Sequence, residues 1–283
     1  MSVPAETRIG HVSLTVADLD RSREFYERVI GLRALDQAGD TVRLGGDGGA
    51  PVVELVGDPA APPRRRGTTG LFHLAILLPG RAELASALRR VVEAGWPLAG
   101  ASDHLVSEAL YLADPEANGI EIYRDRPRDE WRRVDGQLQM ATLPLDLDSV
   151  LEELSATDGE SPHAPTGTRV GHVHLNVADL AAAEAFYGGV LGFDVTVRDY
   201  PGALFLSAGG YHHHIGVNTW AGEGAPPPRP GSRGLRRFEI VLPSTADLTE
   251  VERRLRDAGE DPQAEGEGIR VSDPSGNGTL LRG

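Results

Sequence analysis

The chain repeats itself. GHVSLTVADLDRSREFYERVIGL opens at Gly10 and returns as GHVHLNVADLAAAEAFYGGVLGF at Gly171. GLFHLAILLPGRAELASALRRVVEAG opens at Gly70 and returns as GLRRFEIVLPSTADLTEVERRLRDAG at Gly234. DPEANG at Asp114 returns as DPSGNG at Asp273. A fold for this chain must therefore accept the same parts twice in the same order. Each half divides again. A period-2 strand, HVSLTVADL, precedes a helical run, SREFYERVIG, and then the extended pieces TVRLGG and PVVELVG. A second strand, FHLAILLP, precedes the helical run RAELASALRRVVEAG and further extended segments that end in EALYLADPEANGIEIY. Strand, helix, then about three strands, four times over, predicts an α+β fold and not a doubly wound sheet.

The boundaries follow from the repeat. Residues 1–125 form an N-terminal half with modules at about 8–57 and 70–124. Residues 126–168 read as a charged, Pro-rich linker with one amphipathic run, LDSVLEEL. Residues 169–283 form the C-terminal half, with modules at about 169–219 and 234–283. The net charge of −14 disfavours nucleic acid and anionic membranes as partners. The absence of cysteine excludes disulfides, thiolate metal sites and cysteine nucleophiles, and suits a cytoplasmic protein. The start, MSVPAETRIG, does not read as a signal peptide, and no apolar run approaches the roughly 18 residues of a membrane span.

GHVxLxVADL followed by FY, together with DPxxNGIExY, resembles the vicinal oxygen chelate superfamily, which includes glyoxalases, bleomycin-resistance proteins and extradiol dioxygenases. The resemblance covers nearly the whole chain. It implies four βαβββ modules in two tandem halves, with the sheets curled into cups. The four-module length and the ending DPEANGIEIYRDRP look most like catechol 2,3-dioxygenases. That likeness implies Fe(II), or Mn(II), and an aromatic diol opened by O2 to a 2-hydroxymuconic semialdehyde-type product. Oligomeric state is left open.

Alternation of side chains along a strand sorts the polar residues by face. His172, His174 and Asn176 share one face, and His73, Ala75 and Leu77 share another. Glu121 and Tyr123 lie together in GIEIY. In GGYHHHIGVN, read as a strand, His212, His214, Gly216 and Asn218 share a face, with His213 opposite. Two imidazoles and a carboxylate on one surface make a facial triad that leaves positions open for substrate and O2.

The resemblance places metal ligands at His73 and Glu121 in the second module. The matching residues of the fourth, Arg237 and Leu280, cannot serve. The third ligand is His172 if modules two and three share a cup, and His11 if modules one and two do. The two–three pairing gathers more of the family's parts: His214 or His212 as the acid–base group, Asn218 beside the substrate, and His104 and Tyr111 as partners of the substrate oxygens.

A glyoxalase- or epimerase-type isomerase would draw a further ligand from Glu54 or from the His214–Asn218 strand, and a metal-free binder would need no triad. Trp220 and Tyr123 stand at strand ends, where they either help hold an aromatic ring or, as aromatic residues there commonly do, simply pack. PPRRRG, from Pro62, reads as a solvated connection.

Overall fold

The computed structural model describes residues 2–134, 137–156 and 162–283. The first module runs β1 (Arg8–Val16), α1 (Leu19–Phe25), β2 (Arg33–Ala38), β3 (Thr41–Gly45) and β4 (Pro51–Gly57). The second runs β5 (Gly70–Leu78), α2 (Arg81–Glu93), β6 (Gly100–Asp103), β7 (Ser107–Ala113) and β8 (Gly119–Asp125). Short pieces follow: β9 (Arg133–Val134), β10 (Gln137–Leu138), β11 (Leu143–Pro144) and α3 (Leu147–Glu152), the last at the amphipathic run LDSVLEEL. Parts of that segment, 135–136 and 157–161, lie outside the described residues. The third module is β12 (Arg169–Asn176), α4 (Leu180–Glu184), β13 (Asp194–Val197), β14 (Ala203–Ser207) and β15 (Ile215–Asn218). The fourth is β16 (Gly234–Val241), α5 (Thr245–Asp257), β17 (Gln263–Glu265), β18 (Gly268–Ser272) and β19 (Gly278–Arg282). The βαβββ order expected from the repeat is thus present four times.

Helix starts are written locally. Asp18, Asp146, Asp179 and Ser244 each occupy an N-cap and accept a backbone N–H from the first turn. Helix ends hold a departure from the expected helices. The FY of each repeat enters a π-helical turn, Tyr26–Ile30 and Ala185–Leu191. Each turn ends on a left-handed glycine, Gly31 at φ 88° and Gly192 at φ 96°. A 3.6-residue apolar period does not reveal a wide turn of this kind, so the sequence reads the whole run as one helix.

The FY tyrosines close a lock with the DPxxNG turn. The Tyr26 hydroxyl donates to Asp114 Oδ2 at 3.2 Å, and the Tyr187 hydroxyl donates to Asp273 Oδ2 at 3.0 Å. Both tyrosines are fully buried. Asp114 also accepts the Asn118 side chain at 2.9 Å and the N–H groups of Glu116 and Asn118. Asp273 repeats this with Asn277 and Ser275. Burial raises both aspartates, and their hydrogen bonds oppose it without cancelling it. Burial and the facing aspartate push both phenols well above the usual tyrosine range.

The chain forms two compact units. Unit I is Met1–Ser13, Pro62–Phe72 and Gly171–Gly283; unit II is Leu14–Ala61 and His73–Val170. In unit II, β4, β3 and β2 pair antiparallel. The neighbouring strands β11, β6, β7 and β8 are antiparallel, and β8 runs parallel to β5. In unit I, β12 is parallel to β15, which continues antiparallel into β14 and β13. There β16 is parallel to β19, followed antiparallel by β18 and β17. Parallel pairing of first and last strands puts a module's helix in the crossover between them. On β5, Leu74, Ile76 and Leu78 alternate with His73, Ala75 and Leu77, and all six are buried. The helical spacing of Leu84, Leu88 and Val91 gives α2 its buried stripe.

Candidate active site

Unit II brings four of the expected residues to one face. Glu121 of β8 lies opposite Ala75 of β5 and opposite Tyr111 of β7. Opposed residues on neighbouring strands point the same way, so Glu121, Tyr111 and the β5 set His73, Ala75 and Leu77 share a face. Ala75 is small, and the space above it admits the longer side chains beside it. His73 Nε2 lies 3.0 Å from Glu121 Oε2, and both side chains are buried. Ala75, Leu77, Ala109 and Tyr123 form the apolar floor, with Tyr111 packed on it. Tyr123 is thus fully buried packing.

His104 follows β6 in a tight connection. Leu105 has a left-handed φ of 69°, and Asp103 Oδ1 accepts its N–H at 2.8 Å. His104 Nδ1 lies 2.7 Å from the carbonyl oxygen of Ala141, and its Nε2 lies 2.6 Å from the Tyr111 hydroxyl. A carbonyl only accepts, so Nδ1 carries hydrogen. In neutral His104 the bare Nε2 then accepts a hydrogen bond from the Tyr111 hydroxyl. The Asp103 carboxyl is pulled upward by burial, but the Leu105 N–H and the Arg126 guanidinium outweigh this and hold it below the usual range.

Unit I holds the other group. His172 and His174 sit two residues apart on β12 and are buried, as is Asn218 at the end of β15. Asn218 Oδ1 accepts the N–H of Trp220 at 3.0 Å.

The histidine run is not a strand. β15 starts only at Ile215. Gly209 and Gly210 take left-handed φ values of 59° and 68°, and the turn they make carries irregular backbone through His214. Alternation therefore does not extend to residues 212–214. The ring of His213, expected to face away, lies 4.0 Å from the ring of His172, whereas that of His212 lies at 6.0 Å. His212 Nδ1 meets His213 Nδ1 at 2.8 Å. His214 Nδ1 accepts the Ala208 N–H at 3.1 Å, and its ring lies 4.9 Å from Tyr211. The Gly-Gly pair was the sequence signal that could have released His213 from the strand pattern.

The remaining candidates sit apart from these groups. In unit I, His11 Nδ1 lies 2.9 Å from Glu239 Oε2, and Arg282 Nε lies 3.0 Å from Oε1. A Cβ on Gly10 would come within 2.5 Å of that carboxylate. Burial works to raise the Glu239 carboxyl, but the hydrogen bond and charge of His11 and the charge of Arg282 hold it below the usual range. Arg237 pairs with Glu265 at 2.7 Å, and Leu280 is buried. In unit II, Glu54 accepts the Arg43 Nε–H at 2.9 Å.

The profile of the glyoxalase/bleomycin resistance protein/dioxygenase superfamily matches residues 8–122 and 169–279. The chain belongs to this superfamily. A member called catechol-2,3-dioxygenase, from Bacillus subtilis (strain 168), is 46% identical over 277 residues, covering 96% of either chain. Biphenyl-2,3-diol 1,2-dioxygenase 3 of Rhodococcus globerulus is 32% identical over 114 residues, 38% of this chain and 60% of its own length. Among solved structures, a candidate dioxygenase from Bacillus subtilis matches with a TM-score of 0.71 at 14% identity, over 99% of this chain and 86% of its own. Glyoxalase I from Zea mays matches with a TM-score of 0.59 at 16% identity, over 98% and 92%. These structural likenesses show the superfamily fold in this chain.

Proposed function

We propose that this chain is a catechol 2,3-dioxygenase-like enzyme, an extradiol dioxygenase that opens a catechol-type ring with O2 in the catabolism of aromatic compounds. The buried His73–Glu121 pair carries the reading: an imidazole and a carboxyl group 3.0 Å apart on the face that presents Tyr111 and His104. The nearly full-length relative supports it. His73, Glu121 and His172 would hold one Fe(II); Mn(II) shares the same donor preferences. The residues fit such an ion, because a buried carboxylate beside imidazole nitrogens is the donor set that a hard-to-borderline divalent cation takes, and no softer thiolate competes. When bound, the metal supplies Lewis acidity and electron transfer between diol and O2.

The protein's own residues manage protons and orientation. Tyr111, its proton held by His104, accepts a hydrogen bond from a diol hydroxyl. If His104 gains a proton, the Tyr111 hydroxyl turns donor, so the pair follows charge on the substrate oxygens. A histidine of the 212–214 run takes the second diol proton and returns it as the ring opens. His214 is the acid–base residue of this proposal, with His212 and Asn218 beside the substrate. The 4.0 Å approach of His213 to His172 favours a second reading, in which His213 has that role. Both oxygen atoms of O2 end in a 2-hydroxymuconic semialdehyde-type product. No helix among the described residues is long and apolar enough to cross a membrane. The lack of cysteine suits work in a reducing cytoplasm.

The test is protein purified without oxygen, loaded with Fe(II), mixed with catechol and exposed to air. Oxygen uptake matched one to one by a yellow product supports the proposal, and a chelator that strips iron abolishes both. Metal binding without oxygen uptake, with turnover of a thiohemiacetal or an epimerisable substrate, refutes it in favour of an isomerase. Histidine-to-alanine variants at 213 and 214 separate the two acid–base readings, since losing such a group costs about 10²–10⁴ in rate.

A further inference from the structure

Unit II also carries a cavity lined by arginines. It offers about 710 Å³ between the end of the first module's helical run, the start of β2 and the last turns of α2. No residue of the candidate active site lines it. Arg23, Arg28, Arg33, Arg89 and Arg90 line it together with Glu27 and Glu93. With His163 neutral, that is an excess of three positive charges on a chain whose net charge is −14. Leu32, Ala34 and Ala94 add short apolar stretches, and the volume suits a small molecule.

Arg90 gives the cavity its character. It is only 9% exposed. Its Nη2 donates to the Ile30 carbonyl at 3.2 Å, and its guanidinium lies over Gly31, where a Cβ would come within 2.7 Å of Nε. Nε itself is buried without a hydrogen-bond partner, and no carboxylate among the described residues pairs with Arg90. Burial pushes the guanidinium down to about 10; the Arg89 charge adds to this and the Glu93 charge opposes it. At neutral pH Arg90 is therefore still charged, in a place where a charge without a counter-ion is costly. Basic side chains in a last helical turn complement the dipole, and Arg23, Arg28 and Arg90 all stand in last turns. That accounts for the exposed arginines. It does not account for a guanidinium buried beside Gly31 with its Nε–H unused.

We propose that this cavity binds a small organic oxyanion, a phosphate ester or a di- or tricarboxylate, with Arg90 as its buried anchor. A guanidinium presents its N–H groups as a fork that matches the oxygens of carboxylate and phosphate. An oxyanion beside Arg90 supplies the counter-ion that the chain itself does not place there. Two or three negative charges match the excess on the wall. The rim arginines can turn to such a ligand at little loss. Arg28 pairs with Glu24, Arg33 with Asp47 and Arg89 with Glu93, at 2.6, 2.9 and 3.9 Å, and ion pairs at or near the surface contribute little. The walls come from both modules of unit II, so a bound anion bridges the two and stabilises the folded unit.

The test is isothermal titration of the iron-loaded protein, without diol or oxygen and at constant ionic strength, with glycerol phosphate and succinate as probes. The expected result is one site per chain with a Kd of about 1 mM or tighter for at least one probe. Arg90→Gln weakens it by about tenfold or more. The double variant Arg33→Glu with Arg89→Glu abolishes it, and this rim variant decides the matter if Arg90→Gln does not fold. The thermal midpoint of the wild type rises with the tighter probe, and that of Arg90→Gln does not. Tighter binding of glycerol phosphate supports a phosphate ester as the ligand, and tighter binding of succinate supports a carboxylate. No saturable binding of either probe, or equal affinity in the wild type and the rim variant, overturns the inference. So does binding that survives Arg90→Gln but is lost in His73→Ala, which would place the probe on the metal. No diol enters the titration, so the extradiol reading stands or falls separately.

Discussion

Tyr26→Phe and Tyr187→Phe test the lock between the FY tyrosines and the DPxxNG turns. Each substitution removes one hydroxyl from a buried carboxylate and leaves the ring in place. Asp114 keeps three donors: the N–H groups of Glu116 and Asn118 and the side chain of Asn118, at 2.8–2.9 Å. The carboxylate is weakened and not abandoned, so the cost falls at the low end of a charge-assisted bond, about 1–2 kcal/mol at each site. With a urea slope of about 3 kcal/mol/M, that shifts each midpoint by roughly 0.5 M. The two locks share no residue, so the double variant loses about the sum. Urea unfolding followed by circular dichroism measures it, and kcat/KM of the folded variants stays near wild type. A midpoint unchanged in both single variants would refute the reasoning. So would an intact midpoint with lost activity, which would place the hydroxyls in the chemistry.

Three further outcomes follow from other contacts. Glu108 is buried and meets Arg81, Arg124 and Arg126 at 2.7–3.2 Å, so Glu108→Ala strands Arg124 and costs about 3–5 kcal/mol in a urea titration. A loss below 1 kcal/mol would show that the arginines find other partners. Glu239 has a depressed folded pKa, so it contributes stability that is complete above its usual value of 4.5 and lost as pH falls through the folded value. The urea-midpoint gap between wild type and Glu239→Gln therefore narrows from pH 6 towards pH 3, and a gap that does not change with pH contradicts the assignment. Gly216→Ala forces the His174 ring to yield and costs about 1–3 kcal/mol, read as a lower thermal midpoint; an unchanged midpoint means the ring moves freely.

Much of the fold was legible because its signals are local. Period-2 alternation marks β5 and β12, and the repeat carries that reading across the chain. Asp18, Asp179 and Ser244 cap helices by contacts within three residues. His73 and Glu121 were legible through the family resemblance, and the parallel pairing of the module's first and last strands brings them together. The lock was half legible: FY and DPxxNG recur, but 88 residues separate Tyr26 from Asp114, and nothing in either motif names the other. The histidine run misled for a physical reason. Alternation assumes extended backbone, and the left-handed glycines at 209 and 210 turn the chain before it reaches His212.

The twin locks also say something about inheritance. Tyr187, Asp273 and Asn277 keep the hydrogen bonds that join Tyr26, Asp114 and Asn118, yet the fourth module carries Arg237 and Leu280 where the second carries His73 and Glu121. The residues that close a module and the residues that would perform chemistry in it are separate sets. A copied module can therefore drift at its reactive positions without losing its architecture. Such a silent copy is raw material: two donors reinstated on β16 and β19 would meet a scaffold that already holds its shape.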